Sequence, residues 1–180
     1  MGAHADAVRR AAAVRLVALD VDGTLTDGRL FIGPTGETMK AFSVRDGFGL
    51  TLLREAGLKL ALITARRSAI VEVRASELKF DEVRQGARDK AAVLAELCGH
   101  FGLQARQSAF VGDDWPDLRA MALAGLAASV ADAPTAVRDR AHWVSHAPAG
   151  RGAVREFAEF VLRSQGLLDA ALARYAGGQP

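Results

Sequence analysis

The chain has 180 residues, 50% apolar and 24% charged, a composition that excludes a disordered chain and fits one globular domain able to hold a core without staples. Its 23 basic and 21 acidic side chains nearly cancel to a net charge of +2, and no basic stripe alternates with aromatics, so nucleic acid is not an expected partner. The single cysteine, Cys98, cannot close an internal disulfide, no Cys/His cluster has zinc spacing, and no uncharged stretch reaches the ~20 residues of a membrane span, so a cytoplasmic protein without membrane contact is expected.

Residues 1–13 read as a loosely attached N-terminal segment; Arg9 and Arg10 precede apolar residues, but Arg15 and Asp20 break any signal-peptide core. Residues 16–19 form the first strand, apolar throughout as a strand buried on both faces must be. It runs into Asp20-Val-Asp22-Gly-Thr-Leu-Thr-Asp27. Residues 29–42 then predict a β-hairpin around Gly33-Pro-Thr-Gly36, a flap at about 28–43 over the sheet end where ligands bind. A helix at 46–56 leads to a strand at 58–63 that ends in Thr64-Ala-Arg66. Helices at 68–78 and 89–101 precede a strand at 109–111, which ends in Gly112-Asp113-Asp114-Trp-Pro-Asp117. A helix at 116–124, a strand at 126–130, a helix at 134–140 and an edge strand at 142–145 complete the alternation. In the last helix, 152–163, Val154, Phe157, Ala158 and Val161 recur at the spacing of one buried face. Residues 166–180 read as a loose tail. Such alternation implies right-handed crossovers: an α/β fold of three layers, a Rossmann-like parallel sheet with helices on both faces, spanning residues 14–165.

Ligands of an open parallel sheet sit at the carboxyl ends of its strands. Asp20, Asp22, Thr64 and Asp113 all stand there. Clustered carboxylates repel, and a hard divalent cation with oxygen ligands resolves the repulsion; Mg²⁺ fits because it keeps positions for water and a phosphate oxygen. The Asp20-x-Asp22 spacing lets both side chains approach one reacting group, one as attacker and one as proton donor. Lys90, at a predicted helix start, adds an ammonium where a helix N-terminus already favours phosphate. Together these read as a metal-assisted phosphoryl site. Asp114-Trp-Pro-Asp117 also reads as a helix cap, which leaves Asp117 divided between supporting the metal and capping, and Asp114 structural. Gly47 and Gly49 in a first helical turn fit either a close approach to substrate or tight packing. Arg45, Arg66 and Arg151 offer forks for a sugar acid's carboxylate, against the ordinary reading of surface arginine.

The order DxDGTLTD, strand-end Thr, Lys, GDDxxD resembles the haloacid dehalogenase superfamily of aspartate-nucleophile phosphatases. Residues 20–28, the hairpin, Lys40-Ala-Phe-Ser-Val-Arg45-Asp-Gly47, Gln85-Gly86 with Lys90, Val111-Gly-Asp-Asp114 and Ala149-Gly-Arg-Gly-Ala-Val-Arg155 are similar to one branch, the 3-deoxy-D-manno-octulosonate 8-phosphate phosphatases of lipopolysaccharide synthesis. The similarity runs over about 16–165, with Ala65 standing where the branch usually has glycine. It implies Asp20 as nucleophile and Asp22 as general acid/base, whose backbone carbonyl also binds Mg²⁺. It further implies Thr64 and Lys90 as phosphoryl ligands and Asp113 as the second metal carboxylate. The hairpin would replace a mobile cap, the substrate would be a small sugar acid phosphate, and the assembly a homotetramer whose hairpins meet and whose C-terminal tails reach a neighbour's site. The Gly150-Arg151-Gly152 segment is expected to close such a neighbouring site. Two alternatives remain: the same chemistry on a nine-carbon sugar acid 9-phosphate, and a non-enzymatic phospho-acceptor resembling signalling receivers, in which the acceptor would end a later strand.

Overall fold

The computed structural model describes residues 3–177. Six parallel strands form one sheet: β1 (Leu16–Leu19), β4 (Lys59–Thr64), β5 (Glu82–Gln85), β6 (Ser108–Gly112), β7 (Leu126–Ser129) and β8 (Trp143–Val144), in the order β5-β4-β1-β6-β7-β8. The apolar central strand β1 is buried at every position, because helices cover both of its faces. Side-chain alternation sends Val17 and Leu19 into one core with α1 (Ala3–Ala12), α2 (Val44–Glu55) and α7 (Ala153–Ser164). Leu16 and Ala18 enter the other core, with α4 (Lys90–His100) and α5 (Leu118–Leu123). Register places the site: Leu19 stands opposite Leu62 of β4 and Val111 of β6, so Asp20, Thr64 and Asp113 emerge together at the carboxyl edge.

Helix starts follow local chemistry. The Ser43 hydroxyl accepts the Asp46 N–H at 3.2 Å at the head of α2, and the Asp89 carboxylate accepts the Ala92 N–H at 3.1 Å at the head of α4. The hairpin is smaller than the sequence predicts: β2 (Phe31–Gly33) and β3 (Gly36–Met39) pair with each other and not with the main sheet.

Three elements differ from the sequence reading. Strand β5, Glu-Val-Arg-Gln, is unpredicted because it is a half-exposed edge strand whose polar composition hides it. Helix α1 stands where a loose N-terminal segment is expected, and α8 (Leu168–Tyr175) where a loose tail is expected. Their buried sides are made largely of alanine (Ala7, Ala11 and Ala171, with Leu168), which bury too little area per residue to stand out as an apolar stripe. Tyr175 then packs edge-on to Phe48, 5.0 Å between rings, and its hydroxyl reaches Glu55 at 3.1 Å. The tail, as far as residue 177, is therefore seated on α2 of its own chain. Residues 1–2 and 178–180 of the predicted loose ends lie outside the described residues. No helix among the described residues is long and apolar enough to cross a membrane.

Candidate active site

After β1 the chain turns sharply, and the N–H groups of Thr24, Leu25 and Thr26 all donate to the Val21 carbonyl, at 3.2, 2.9 and 3.0 Å. Gly23 makes this turn possible. Its φ is +95°, and a Cβ there would lie 2.1 Å from an Asp113 oxygen. The turn thus presses on Asp113, and the Thr24 hydroxyl donates to Asp113 Oδ1 at 3.0 Å. Lys90, the first residue of α4, reaches into the same place: its Nζ is 2.8 Å from Asp20 Oδ1 and 2.5 Å from Asp117 Oδ1. The second Asp117 oxygen accepts the N–H groups of Asp113 at 3.0 Å and Asp114 at 3.3 Å. Asp114 and Asp117 also form the capping box of the 3-10 turn Trp115–Asp117 that leads into α5. Capping and support of the site are one arrangement here, so the two readings of Asp117 merge.

Asp20, Asp113 and Asp117 present oxygens within 4.8 Å of one another. Burial first, then the Asp117 charge, push the Asp20 carboxyl up to about 6 against the pull of Lys90. Burial, then the charges of Asp20 and Asp117, push Asp113 up to about 7. Burial opposes the Lys90 ammonium, but Asp20 and Asp117 outweigh it and raise its pKa. Three hard carboxylates facing one ammonium leave an excess of negative charge, a donor set that suits Mg²⁺.

These groups line a cleft of about 180 Å³ that also includes Asp22, Thr64 and Arg66. The Asp22 side chain stands apart from the three-carboxylate group: one oxygen is bonded by the buried Lys40 ammonium from the end of β3, and the other lies 3.5 Å from Arg66 Nε. The three grouped carboxylates are Asp20, Asp113 and Asp117, while the expected metal contact of Asp22 is through its backbone carbonyl. Burial opposes the Lys40 charge as well, yet its bonds to Asp22 and Glu37 raise its pKa above the ordinary value.

The remaining predicted positions fall elsewhere. Arg45 is exposed on α2 and lies outside the residues lining the cleft. A Cβ on Gly49 would meet the Arg155 Cα at 3.0 Å, so close packing of α2 on α7 accounts for that glycine, whereas one on Gly47 would meet the movable Arg74 guanidinium at 2.4 Å, and Gly47 lies outside the residues lining the cleft. Arg151 is exposed, in a loop that docks on its own chain: Gly150, with φ +64°, lies close against the backbone of Thr26 and Asp27, and its N–H donates to the Thr24 carbonyl at 3.2 Å. Asp46, buried in α2, holds the end of this loop by accepting the Gly152 and Arg155 N–H groups. Within its own chain this segment packs on the turn after β1 through Gly150 and leaves the Arg151 side chain exposed. Sequence reasoning did not single out Thr24, Lys40 or Asp46 as site-forming. For Lys40 a signal existed: a lone lysine ending a hairpin strand next to a carboxylate-rich turn.

No protein-family model matches the chain. Individual relatives do. The 3-deoxy-D-manno-octulosonate 8-phosphate phosphatase of Yersinia pestis is 41% identical over 166 residues, 92% of this chain and 89% of that protein. The chain belongs to the 3-deoxy-D-manno-octulosonate 8-phosphate phosphatase family. The crystal structure of the family's Moraxella catarrhalis phosphatase, in complex with a magnesium ion, a phosphate ion and a KDO molecule, superposes with TM-score 0.92 at 38% identity, covering 94% of this chain and 98% of that one. A Legionella pneumophila structure described as a HAD-superfamily hydrolase has TM-score 0.91 at 34% identity, covering 97% and 96%. The six-strand parallel sheet, with helices on both faces, is the fold of this superfamily.

Proposed function

We propose that the chain is a Mg²⁺-dependent phosphomonoesterase that hydrolyses 3-deoxy-D-manno-octulosonate 8-phosphate to the free sugar acid and phosphate, in the synthesis of lipopolysaccharide precursors. One observation carries this reading: Asp20 stands at the carboxyl edge of the central strand, held 2.8 Å from Lys90, in a cleft with Asp22 and Thr64, within a family of that activity.

Asp20 attacks phosphorus in line; the phosphorus–oxygen bond to the sugar breaks as Asp22 gives its proton to the departing oxygen. Asp22 then takes a proton from water, whose oxygen attacks the aspartyl phosphate and frees Asp20 and phosphate. Lys90 and the Thr64 hydroxyl offset charge on the phosphoryl oxygens, and Asp117 keeps Lys90 in place. Bound by Asp20 and Asp113, with the Asp22 carbonyl and Asp117 as further donors, Mg²⁺ supplies Lewis-acid stabilisation of phosphoryl charge. Arg66, half-exposed at the cleft mouth, is the cleft's own candidate for the sugar carboxylate. Arg45, Gly47 and Arg151 lie off the cleft and keep a substrate role only through a neighbouring subunit.

A homotetramer joined through the hairpins fits the exposure of Leu30, Ile32 and Met39 there, and the buried free thiol of Cys98 accords with a cytoplasmic setting. The decisive assay is phosphate release from a panel of sugar acid phosphates with and without Mg²⁺. The eight-carbon acid should lead, Mg²⁺ removal should stop turnover, and Asp20→Asn should lose at least a thousandfold. Preference for a nine-carbon acid would overturn the substrate, and near-full activity of Asp20→Asn would overturn the nucleophile.

A further inference from the structure

The hairpin shares no strand pairing with the main sheet, yet it sends one lysine into the interior. The Lys40 side chain is 1% exposed. Its Nζ bonds Asp22 Oδ1 and lies 2.8 Å from Glu37 Oε1 on the same hairpin strand. The Ser68 hydroxyl, at the head of α3 (Ala69–Glu77), donates to the other Glu37 oxygen, and the Ser68 N–H donates to Gln85 Oε1 on β5 at 2.6 Å. Arg66 Nη2 stands 3.6 Å from Glu37 Oε1. Hairpin, Asp22 and the β5 edge are thus joined through a buried ionic cluster.

Seating a hairpin alone calls for an apolar side chain, since burying an ammonium is costly unless its partners are fixed. Lys40 spends that cost on a carboxylate that must meet the departing sugar oxygen at hydrogen-bond distance, a placement that catalysis rewards steeply. We propose that Lys40 is a positioning residue for proton transfer: its ammonium holds Asp22 in the cleft through Oδ1, which leaves Oδ2 to carry the transferred proton, and through Glu37 and Ser68 it ties that orientation to the seating of the hairpin. The inference rests on Asp22 being the proton donor of the proposed reaction.

Leaving groups of different basicity separate positioning from mere support. An alkyl phosphate needs the Asp22 proton on its departing oxygen, whereas p-nitrophenolate leaves without it. The measurement is kcat/KM, which reports only steps through departure, for wild type, Lys40→Met, Lys40→Arg and Asp22→Asn on the sugar acid phosphate and on p-nitrophenyl phosphate. Lys40→Met should lose at least tenfold more on the sugar ester than on the aryl ester, Asp22→Asn more still, and Lys40→Arg, which keeps the charge, should fall between wild type and Met. Equal losses on both esters for Lys40→Met, beside a discriminating Asp22→Asn, overturn the role of Lys40 and leave the proposed function standing. A non-discriminating Asp22→Asn removes the proton-donor assignment and the inference with it. Should Lys40→Met fail to fold, as read by its thermal midpoint, Lys40→Gln, which removes the charge but keeps a polar side chain, decides by the same ratio, and equal losses on the two esters overturn the proposal.

Discussion

Helix α7 begins without a capping side chain of its own, because Gly152 flanks it in the left-handed conformation. The cap comes from α2. The Asp46 carboxylate, 1% exposed, accepts the Gly152 N–H at 3.1 Å and the Arg155 N–H at 2.8 Å. Asp46→Ala leaves two buried donors without an acceptor, at roughly 1–3 kcal/mol each, with partial relief from water. The loss of an ordinary N-cap costs about 0.5–2 kcal/mol, so a total near 3 kcal/mol is expected. For a chain of this length that lowers the thermal midpoint by about 6–12 °C. Asp46→Asn keeps one acceptor oxygen and should lose about half as much. Urea unfolding followed by far-ultraviolet circular dichroism measures the difference directly. The loop that α7 anchors rests on the turn after β1 through Gly150, so kcat/KM should fall in the same order, Ala below Asn below wild type. An Asp46→Ala protein within about 0.5 kcal/mol of wild type would refute the shared cap, since surface substitutions stay within that margin.

Two further outcomes follow from the site and the hairpin. Asp113 is raised from 3.8 to about 7, so the stability it contributes is fully present below about pH 4 and is lost as pH rises through 7. Without Mg²⁺, Asp113→Asn should therefore gain on wild type by up to about 1.4 kcal/mol per pH unit between roughly pH 5 and pH 7, and Mg²⁺ should reverse the order; thermal midpoints in chelator that keep a constant gap across this range would contradict it. On the hairpin, Ile32 is 62% exposed, and Ile32→Glu should split the proposed tetramer. Light scattering of the variant would then give a lower mass, and an unchanged mass would remove the hairpin from the interface.

Much of the fold was legible because its strongest signals are local. The apolar strands β1, β4, β6 and β7 and the stripe of α7 announce themselves by composition and period. The strand ends carry Asp20, Thr64 and Asp113 in an order that names the chemistry. What stayed hidden either lacked apolar contrast, as the polar edge strand β5 and the alanine-faced helices α1 and α8 do, or was a relation between distant residues. Gly49 illustrates the second kind, since its close neighbour is the Arg155 backbone on another helix.

By itself, then, the amino-acid order determined a parallel α/β sheet and the identity of the groups at its carboxyl edge, because strand burial and motif spacing are properties of neighbouring residues. Only the tertiary structure decided how those groups share the work. It set Asp117 between Lys90 and the Asp113 turn, drew Asp22 aside to Lys40, and gave α7 a cap from Asp46. The physical reason is that a buried charge is stable only beside a partner, and which partner arrives depends on how the whole chain closes.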